Sequence, residues 1–459
     1  MSWIHNAVIL PLFEPERHRG LLRRIRQFEF YEALPRDKQV AVQERKIKAI
    51  LEHAYATTPY YRRLFDEAGF AASQWKFGES MGFPTLTRDR VRKSGDDLRS
   101  RAFSEAMLRQ ATTGGTTSVP VRIWRDIEAL RQKSAMQSHL NRQSGFDQGM
   151  PVLNIWGAER DLVLTPGWKW KLYEQVLMRR HNAGAGQLSD RVLASFADKL
   201  NRHRPRILYG YAATIGIFAD YLSAQGKPFH KPEHLIVTAE PITADARRRV
   251  EHIFGCPVTE QYGSRDIGMV GAECVAGHRL HFHPAACFTE FVYAGESTEG
   301  AMYTLVVTDL LNRGMPMIRY DTDDCVLLDD GPCPCGSWYP SVKKILGRAV
   351  DNFIMPDGSF VTGIAVAAAM PRIQEGFLYI RQIQLIQKGI EHFHLRYSAE
   401  GGAPDIQAEL SKFRAEIEKL LQVHVRWTAE RVNEIQRERS GKMRFCISEV
   451  SAPARPVAV

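Results

Sequence analysis

The sequence predicts an α/β protein with two unequal domains: a large N-terminal domain with a parallel sheet and a β-rich part, and a small α+β C-terminal domain. Three observations lead to this fold class. Short apolar strands alternate with amphipathic helices between residues 207 and 262, which is the pattern of a parallel sheet. Residues 280–330 then have the pattern of strands without helices, and the last segment mixes strands with one helix. A chain of 459 residues is long enough for two or three domains of roughly 150 residues each.

Two helices are expected ahead of the parallel strands, over residues 37–55 and 189–201. Each has apolar side chains at spacings of three and four, which places them on one face of a helix. They are Ile47, Ile50, Leu51 and Ala54 in the first helix, and Leu193, Phe196, Ala197 and Leu200 in the second. Pro59 ends the first helix, and Ser189 or Asp190 caps the second.

The parallel sheet is predicted from an alternation of strands and helices. Its members are Ile207–Tyr211, Thr214–Leu222, His234–Ala239, a helix capped by Thr243 and stopped by Gly255, and Pro257–Tyr262. Ligands of such sheets bind beyond the carboxyl ends of the strands. The loops after Tyr211, Ala239 and Tyr262 are therefore the predicted binding region.

Two further regions complete the predicted fold. In the β-rich part, Phe288–Tyr303 and Thr304–Thr308 are expected to be antiparallel strands. The C-terminal domain is expected to contain the strands Ile380–Gln387, His392–Tyr397 and Val423–Glu430 and the helix Asp405–Leu421. The boundary is placed near Gly347–Asp351, so the predicted domains are residues 1–347 and 348–459.

Composition excludes several classes of protein. Hydrophobic residues make up 44% of the chain and charged residues 25%, which excludes a disordered chain, a collagen and a disulfide scaffold. A mean hydropathy of -0.29, with no apolar run of ~18 residues, argues against a membrane-spanning protein. The first residues lack the features of a secretory signal, so a cytoplasmic location with reduced thiols is expected.

The formal charge of +9 suggests anionic partners, such as nucleic acid, a membrane surface or phosphorylated ligands. The densest cluster of positive charge consists of Arg17, Arg19, Arg23, Arg24 and Arg26. A solvated helix face is favoured over a nucleic-acid-binding arm, because no zinc-finger, RRM or KH motif accompanies the cluster. Nucleic acid is therefore not an expected partner.

A loop of threonines and glycines is the strongest chemical motif. It runs from Thr112 to Pro120 and contains Thr113, Gly114, Gly115, Thr116 and Thr117. Paired glycines let backbone N–H groups turn inward and the hydroxyls add donors, which is the composition of a nest for phosphate oxygens. The loop lacks the Gly-Lys-Ser/Thr of a Walker A motif, and hairpin turns share its composition, so alone it is only moderately specific.

Further motifs follow this loop in order along the chain. They are Tyr209-Gly210-Tyr211, Thr238-Ala239-Glu240-Pro241, Glu260-Gln261-Tyr262-Gly263-Ser264-Arg265-Asp266, Thr308-Asp309-Leu310, residues 317–324, Gly347-Arg348-Ala349-Val350-Asp351 and Arg439-Ser440-Gly441-Lys442. The ordered series resembles the adenylate-forming (acyl-CoA synthetase-like) superfamily over nearly the whole chain. Within it, the chain looks most like phenylacetate–CoA ligases and their relatives in capsular polysaccharide biosynthesis.

The resemblance implies a ligase that uses ATP and Mg²⁺ in two steps. A carboxylate would attack the α-phosphate of ATP, which forms an acyl-adenylate and releases pyrophosphate. A thiol, with coenzyme A as the first choice, would then take the acyl group. An amine or a carrier-protein thiol is the alternative acceptor, and a degenerate nucleotide-binding protein without turnover is a second alternative. The oligomeric state, including a homodimer, stays open.

The resemblance also implies roles for individual residues. Residues 113–117 would hold the β- and γ-phosphates, and Asp266 would bind Mg²⁺. Asp324 would bind the ribose hydroxyls, Arg348 would add a cation near the ribose and phosphates, and Lys442 would stabilise charge on the α-phosphate. The other nucleotide-binding positions are Ala239, Glu240, Pro241, Gln261, Tyr262, Gly263, Ser264 and Arg265, with Asp351 at the hinge between the domains.

Some positions depart from the pattern of the superfamily. Ser118 stands where glycine is common, and Val119 stands where lysine is frequent, which removes a cation from the pyrophosphate. Arg265-Asp266 replaces the usual Thr-Glu pair, so Mg²⁺ would sit closer to the carboxylate or bind it through water. Arg265 could restore the missing charge, on the phosphates or on the substrate carboxylate.

Cysteine and histidine form a second constellation, made of Cys274, His278, His281 and Cys333-Pro334-Cys335. Three thiolates and one imidazole make a closed tetrahedral zinc set, and the phenylacetate–CoA ligase branch resembles this pattern. His281 is preferred over His278 as the fourth ligand. The alternative is a proline-kinked turn with buried thiols.

The acyl pocket is predicted by family position only. Trp156, Tyr209, Tyr211 and Ala212 should line it, together with Ala239. Aromatic walls suit a flat or aryl acid. Glu159 and Arg160 could instead face a polar substrate, and both alternatives stay open.

Overall fold

A computed structural model describes most of the chain. The described residues are 15–112, 122–156, 173–184, 190–297, 299–329, 331–348, 353–356, 360–361, 379–399, 406–421, 423–435 and 445–450, with Val366, Ile373 and Phe377. The chain divides into two compact units. The first unit comprises Met1–Glu290, Val306–Thr322 and Asp329–Lys343, and the second comprises Phe291–Leu305, Asp323–Leu328 and Lys344–Val459. A domain boundary at 347–348 stays a prediction.

The helices are numbered in chain order. They are α1 (Pro15–Ala33), α2 (Arg36–Thr57), α3 (Pro59–Ala68), α4 (Arg88–Ser94), α5 (Ile127–Gln143), α6 (Asp190–His203), α7 (Ala212–Gln225), α8 (Ala244–Phe254) and α9 (Ile406–Leu421). Short 3₁₀ turns occupy Gly95–Leu98 and Glu105–Met107, and a π-helical turn occupies Tyr173–Leu177.

The strands are numbered in the same way. In the first half of the chain they are β1 (Leu108–Thr112), β2 (Arg122–Asp126), β3 (Val152–Trp156), β4 (Arg180–Gly184), β5 (Ile207–Tyr211), β6 (His234–Thr238), β7 (Val258–Ser264), β8 (Gly268–Glu273), β9 (Leu280–Phe282) and β10 (Cys287–Ser297). The others are β11 (Gly300–Asp309), β12 (Tyr320–Leu327), β13 (Ser341–Val342), β14 (Lys344–Arg348), β15 (Phe353–Ile354), β16 (Phe360–Val361), β17 (Ile380–Gly389), β18 (His392–Ala399), β19 (Arg426–Arg431) and β20 (Cys446–Ser448).

The first unit contains the predicted parallel sheet. Its eight strands run in the order β13-β9-β8-β7-β6-β5-β3-β4, with β4, β3, β5, β6 and β7 parallel to one another. The remaining strands, β8, β9 and β13, add to it antiparallel. Helices α6, α7 and α8 bury apolar faces against the parallel strands, in a core that includes Phe196, Phe218, Leu235 and Phe254. The alternation of strands and helices in the sequence is thereby confirmed.

The predicted helix boundaries are also confirmed at the residues that set them. The Thr243 hydroxyl oxygen accepts a hydrogen bond from the Ala246 N–H at 3.2 Å, so Thr243 caps α8 as expected. Gly255 ends this helix in the left-handed region, at a φ of 70°. Pro59 separates α2 from α3, because its ring fits the first turn of a new helix and not the interior of an old one.

The expected break between the two long antiparallel strands is wrong. The sequence predicts this break after Tyr303, whereas β10 ends at Ser297 and β11 begins at Gly300. Gly300 has a φ of 120°, a conformation that a residue with a side chain rarely adopts. The glycine therefore marks the turn, and the apolar run across Tyr303 continues as one strand.

The second unit contains the predicted α+β domain. Strands run in the order β19-β18-β17-β20, and α9 packs on this sheet through a core that includes Leu385, Phe393, Phe413 and Ile417. Strands β14, β15 and β16 belong to a six-stranded sheet with the order β14-β12-β11-β10-β16-β15. The strand–strand–helix–strand order expected for residues 380–430 is confirmed.

Helix α1 carries the basic cluster for which a nucleic-acid-binding arm was weighed against a solvated helix face. Arg23 and Arg26 are exposed on it, as expected for a solvated face. Arg24 differs, because it is buried and donates hydrogen bonds from Nε and Nη2 to the carboxylate of Glu128 on α5. Among the described residues, no helix combines the length and the apolar character needed to span a membrane.

Gly210 gives a first testable prediction, because it lies where strands β3 and β5 approach most closely. It pairs with Ile155, and a Cβ atom at this position would overlap the Ile155 carbonyl oxygen. Two central strands of the sheet would have to separate to relieve this clash. We expect Gly210→Ala to lower the free energy of unfolding by about 2–3 kcal/mol, measured by urea denaturation.

Gly216 is the matched control. It lies inside α7, and the nearest atom to an added Cβ is the Nη2 of Arg249, at 4.0 Å. Gly216→Ala should be neutral or stabilise the protein by about 0.5–1 kcal/mol, because alanine restricts the unfolded chain and favours a helix. Equal stability of the two variants would contradict the packing described for β3 and β5.

Candidate active site

The predicted binding loops lie together at one edge of the parallel sheet. Tyr211 pairs with Thr238 across β5 and β6, and Val237 pairs with Glu260 across β6 and β7. Because the strands are parallel, the residues that follow these pairs emerge at the same edge. The structure thus brings the motifs around Tyr211, Ala239 and Tyr262 together, although they are distant in the sequence.

The segment after β6 has an unusual backbone. Ala239 has a φ of 73°, in the left-handed region that costs a residue other than glycine about 1–3 kcal/mol. Two hydrogen bonds hold the segment on either side. The Thr238 hydroxyl donates to the Gln261 carbonyl at 3.0 Å, and Glu240 Oε1 accepts from the Ala213 N–H at the start of α7, also at 3.0 Å. This held, strained backbone is the kind of feature that accompanies a binding site.

A buried amide network supports the end of β7. Gln261 is only 3% exposed, and its side chain donates to Asn141 at 3.0 Å and accepts from Gln137 at 2.9 Å. The Tyr209 hydroxyl donates to the same Gln261 oxygen at 3.5 Å, and burial raises the pKa of Tyr209 to about 12. Gln261 and Tyr209 therefore support the strand ends, and their predicted contacts with nucleotide and acyl group stay predictions.

The turn after β7, residues 264–267, is held from several sides. The Ser264 hydroxyl oxygen accepts from the N–H groups of Asp266 at 3.2 Å and Ile267 at 3.4 Å. Asp266 is 3% exposed, and its Oδ2 accepts hydrogen bonds from the Tyr320 hydroxyl and from Arg88 Nη2, the latter at 3.1 Å. Asp266 is the residue that the sequence predicts to bind Mg²⁺. In the structure its carboxylate already accepts hydrogen bonds from the Arg88 guanidinium and the Tyr320 hydroxyl.

Two more cations hold the backbone of this turn. Arg125 Nη2 donates to the Arg265 carbonyl, and Lys133 Nζ donates to the Ile267 carbonyl. Lys133 also forms a buried ion pair with Asp309, with 2.5 Å between Nζ and Oδ2. Burial lowers the pKa of Lys133, and the charge of Asp309 opposes that effect. The 264–267 turn is thus fixed from both strand β2 and helix α5.

The thiol cluster lies after the last residue of β8, at the opposite end of that strand from the 264–267 turn. Ligand atoms of Cys274, His281, Cys333 and Cys335 all lie within 4.8 Å of one another. The Cys274 and Cys333 sulfurs are 3.5 Å apart, and Cys335 Sγ is 3.4 Å from His281 Nε2. In a tetrahedral zinc site with bonds of about 2.3 Å, ligand atoms are about 3.8 Å apart, so this arrangement is close to what the metal needs.

The histidines of this region have different roles. His281 Nδ1 lies 3.4 Å from the Tyr339 carbonyl and can donate to it, which leaves the Nε2 lone pair directed at the thiols. His278 instead contacts Glu273, with Nδ1 2.8 Å from Oε1, and its side chain is 61% exposed. Of the two candidates named from the sequence, the geometry favours His281.

Gly277 allows the thiol cluster to close. A Cβ atom on Gly277 would lie 2.6 Å from Cys333 Sγ, 3.0 Å from Pro334 Cδ and 3.6 Å from Cys274 Sγ. The backbone of the loop between Cys274 and His281 therefore passes directly over the sulfurs. Only glycine leaves room for this approach.

The C-terminal part of the chain matches a family model, and most of the chain is similar to known proteins. Residues 353–449 match the family model of the CapK C-terminal domain. Protein CapK of Staphylococcus aureus is 21% identical over 431 residues, which is 92% of this chain and 92% of that protein. A phenylacetate-coenzyme A ligase of Thermus thermophilus is 27% identical over 349 residues, 71% of this chain and 73% of the ligase. The chain is similar in sequence to both proteins.

A solved structure agrees with this similarity. The chain has a TM-score of 0.67 and 19% identity with a 2-hydroxyisobutyryl-CoA ligase in its postadenylation state, over 91% of this chain and 90% of that chain. A likeness at this identity shows the fold. The resemblance to the adenylate-forming superfamily predicted from the ordered motifs is confirmed.

Several of the predicted site residues lie outside the described residues. They are Thr113, Gly114, Gly115, Thr116, Thr117, Asp351 and Lys442, together with the side chains of Trp156 and Arg348. In the second unit, Asp324 on β12 pairs with Arg348 on β14 in the antiparallel register. The two residues predicted to contact the ribose are thus neighbours across one sheet.

Sequence reasoning missed the residues that hold the 264–267 turn. Arg88 and Tyr320 are distant in sequence from Asp266, and no motif connects them to it. Lys133 did leave a signal, because it occupies the buried face of α5 that also carries Ala129 and Met136. A lysine on an apolar stripe at helical spacing indicates a buried partner of opposite charge.

A second group of potential metal ligands is better explained by hydrogen bonding. Glu32 Oε1 lies 3.0 Å from His139 Nε2 and 3.5 Å from His283 Nε2. The Ala285 N–H donates to His283 Nδ1 at 3.2 Å, so the proton of this imidazole is on Nε2 and faces Glu32. Burial would raise the pKa of Glu32, but the imidazoles of His139 and His283 beside its carboxylate lower it to about 2.

Proposed function

We propose that the protein is an ATP-dependent ligase that converts a carboxylic acid into an acyl-adenylate and transfers the acyl group to coenzyme A. The observation that carries the proposal is the homology to phenylacetate–CoA ligases over 71% of the chain. Structures of a CoA ligase with the same fold, in complexes with acyl-AMP and with acyl-AMP and CoA, support it. The clustering of Tyr211, Ala239 and Tyr262 at one sheet edge provides a site of the expected kind.

The residue roles are part of the proposal. Residues 113–117 hold the β- and γ-phosphates, Lys442 stabilises charge on the α-phosphate, and Asp324 and Arg348 bind the ribose side of the nucleotide. The segments 239–241 and 261–265 frame the adenine. The strained backbone at Ala239 and the hydrogen-bonded turn at Ser264 support this part. Trp156, Tyr209, Tyr211 and Ala212 line the acyl pocket, and Asp351 is the hinge of a C-terminal domain that begins at 348.

Magnesium is proposed as the counter-ion of ATP, with Asp266 as its protein ligand. Carboxylate oxygen is the donor that Mg²⁺ prefers. Both described hydrogen bonds to this carboxylate reach Oδ2. A magnesium ion would therefore share the carboxylate with Arg88 and Tyr320, or displace them. When bound, the metal would neutralise phosphate charge, and Asp266 would orient it.

Zinc is proposed as a structural ion held by Cys274, His281, Cys333 and Cys335. Three thiolates and one imidazole leave no open position, so the metal would stabilise the fold and take no part in the reaction. The hydrogen bond available from His281 Nδ1 to the Tyr339 carbonyl supports this ligand set. Reduced thiols and a supply of ATP both suit the cytoplasm, where we propose that the protein acts.

The decisive experiment is pyrophosphate release from ATP with a panel of aryl, alkyl and hydroxy acids. Release with one acid, followed by a CoA thioester of the expected mass, would establish the activity. The panel should be repeated with amines, because the relative that matches 92% of the chain is CapK, and its name specifies no acceptor. Absence of pyrophosphate release with every acid would overturn the proposal and favour a nucleotide-binding protein without turnover.

Lys442 gives the prediction that tests the catalytic role directly. We expect Lys442→Ala to reduce the rate of acyl-adenylate formation by about 100-fold or more, because a positioned cation near the developing phosphate charge is lost. The rate is measured as pyrophosphate release at saturating ATP and acid. Lys419→Ala, an exposed lysine on α9 of the same unit, is the control and should leave the rate unchanged. Unimpaired adenylation in Lys442→Ala would exclude this lysine from catalysis.

A further inference from the structure

Arg125 stands out among the charged groups around the 264–267 turn. It lies on β2, the strand that leaves the threonine–glycine loop, and Thr112 and Arg122 pair at the loop's two ends. Arg125 Nη2 donates to the Arg265 carbonyl. Its Nε is buried and has no hydrogen-bond partner among the residues that the structure describes. Burial lowers the pKa of Arg125 by more than the charges of Asp309 and Asp266 raise it, so the environment disfavours the charge that this guanidinium carries.

The nearby carboxylates already have other partners. Asp309 pairs with Lys133 at 2.5 Å, and Asp266 pairs with Arg88 at 3.1 Å. Asp126, the next residue in the chain, accepts hydrogen bonds from the N–H groups of Ala129, Arg313 and Gly314. Within the described ranges, no carboxylate oxygen lies within 4.0 Å of the Arg125 guanidinium. Arg125 is thus a desolvated cation whose described hydrogen bond is to a neutral carbonyl.

A desolvated cation of this kind is stable when an anion completes its surroundings. The loop that β2 leaves has Val119 where the superfamily frequently has a lysine for the pyrophosphate. A guanidinium is suited to replace that lysine, because its N–H groups match the geometry of phosphate oxygens. Among the described residues, the hydrogen bond of Arg125 uses Nη2, and its Nε–H has no acceptor.

We propose that Arg125 binds the pyrophosphate portion of ATP and supplies the positive charge that Val119 does not. This inference rests on the proposed function, since it assigns one more residue to the same nucleotide site. Arg125 contacts the Arg265 carbonyl at the same time, so it connects the strand that leaves the phosphate loop to the turn that carries Asp266. A competing role is purely structural, in which Arg125 does no more than position that turn.

The test compares Arg125→Met with Arg125→Lys, and uses Arg122→Met as the matched control. Arg122 is an exposed arginine on the same strand. Each purified protein is titrated with inorganic pyrophosphate and, separately, with AMP in a calorimeter. Arg125→Met should weaken pyrophosphate binding by about 10- to 100-fold, because charge-assisted hydrogen bonds are lost. Arg125→Lys should weaken it by about 3- to 10-fold, because the charge remains without the planar fork.

The two probes separate the proposed role from the structural one. AMP lacks the pyrophosphate portion, so its affinity should stay within about two-fold of wild type in every variant if Arg125 acts on the phosphates. An equal loss of AMP and pyrophosphate affinity, or no loss of either, would overturn the inference. Pyrophosphate binding that depends on Arg125, in a protein that releases none with any acid, would leave the inference standing and overturn the proposed function. Thermal midpoints of all variants check that the proteins are folded.

Discussion

Replacement of Lys133 by methionine should lower the free energy of unfolding by about 3–5 kcal/mol, which is the cost of leaving a buried charge without its partner. Lys133 and Asp309 have side chains that are 8% and 1% exposed, and 2.5 Å separates their charged atoms. Methionine fills much of the same space but leaves the Asp309 carboxylate unpaired. Asp309 retains a hydrogen bond from the Leu311 N–H at 2.9 Å, which compensates only part of the lost interaction. Urea denaturation followed by tryptophan fluorescence measures the effect.

Two further variants make this prediction specific to the buried pair. Arg63→Met breaks the exposed ion pair with Asp97 and should cost less than about 1 kcal/mol, because water and salt screen that pair. The double variant Lys133→Met with Asp309→Asn should recover part of the stability lost in Lys133→Met, since the unpaired charge is gone. A loss in Lys133→Met as small as that in Arg63→Met would show that the pair does not hold the turn.

The elements that sequence reasoning predicted well are those set by local chemistry. Strand β5 has the same limits in sequence and structure, because it is a short apolar run between a helix end and a helix start. Thr243 and Gly255 mark α8 through capping hydrogen bonds and a left-handed backbone. The candidate metal ligands Cys274, His281, Cys333 and Cys335 could be proposed from the sequence, because three cysteines and a histidine at such spacings are typical of a metal site, and the structure brings these four residues together.

The elements that could not be predicted depend on contacts between distant parts of the chain. Asp266 was assigned to Mg²⁺ by position in a motif, and nothing local indicates that Arg88 and Tyr320 bind its carboxylate. The turn at Gly300 is a different case, because residues 295–300 are polar, contain two glycines and give a local turn signal that the strand prediction overlooked. Side-chain partners of this kind follow from the fold, which brings together residues that the sequence separates.

Asp309 and Tyr320, which belong to two of the sequence motifs but had no assigned role, gain one from these contacts. Asp309, from the motif Thr308-Asp309-Leu310, pairs with Lys133, which donates to the Ile267 carbonyl. Tyr320, from the motif that runs to Asp324, donates its hydroxyl to Asp266. Residues of both motifs therefore help to hold the turn after β7, although they are distant from it in the sequence. A site that must present Asp266 in one orientation needs such support, because a loop alone would not fix it.

Loss of one thiolate should remove the proposed zinc ion and destabilise the first unit. We expect Cys333→Ser to bind far less than one zinc per chain, whereas the wild-type protein binds close to one. A site filled at a free zinc concentration about 1,000 times its Kd stabilises the folded state by about 4 kcal/mol, and this contribution disappears with the metal. Zinc content is measured by elemental analysis, and stability by thermal denaturation with and without a chelator.

Cys256→Ala is the matched control for the thiol itself. Cys256 is buried in the core beneath the parallel sheet and lies outside the four-ligand cluster. This variant should lose stability through packing alone, keep about one zinc per chain and remain sensitive to the chelator. Cys333→Ser should be insensitive to the chelator, because it has no bound metal to lose. If wild-type protein prepared with zinc in the medium contains far below one zinc per chain, the cluster is a set of buried thiols and the metal proposal fails.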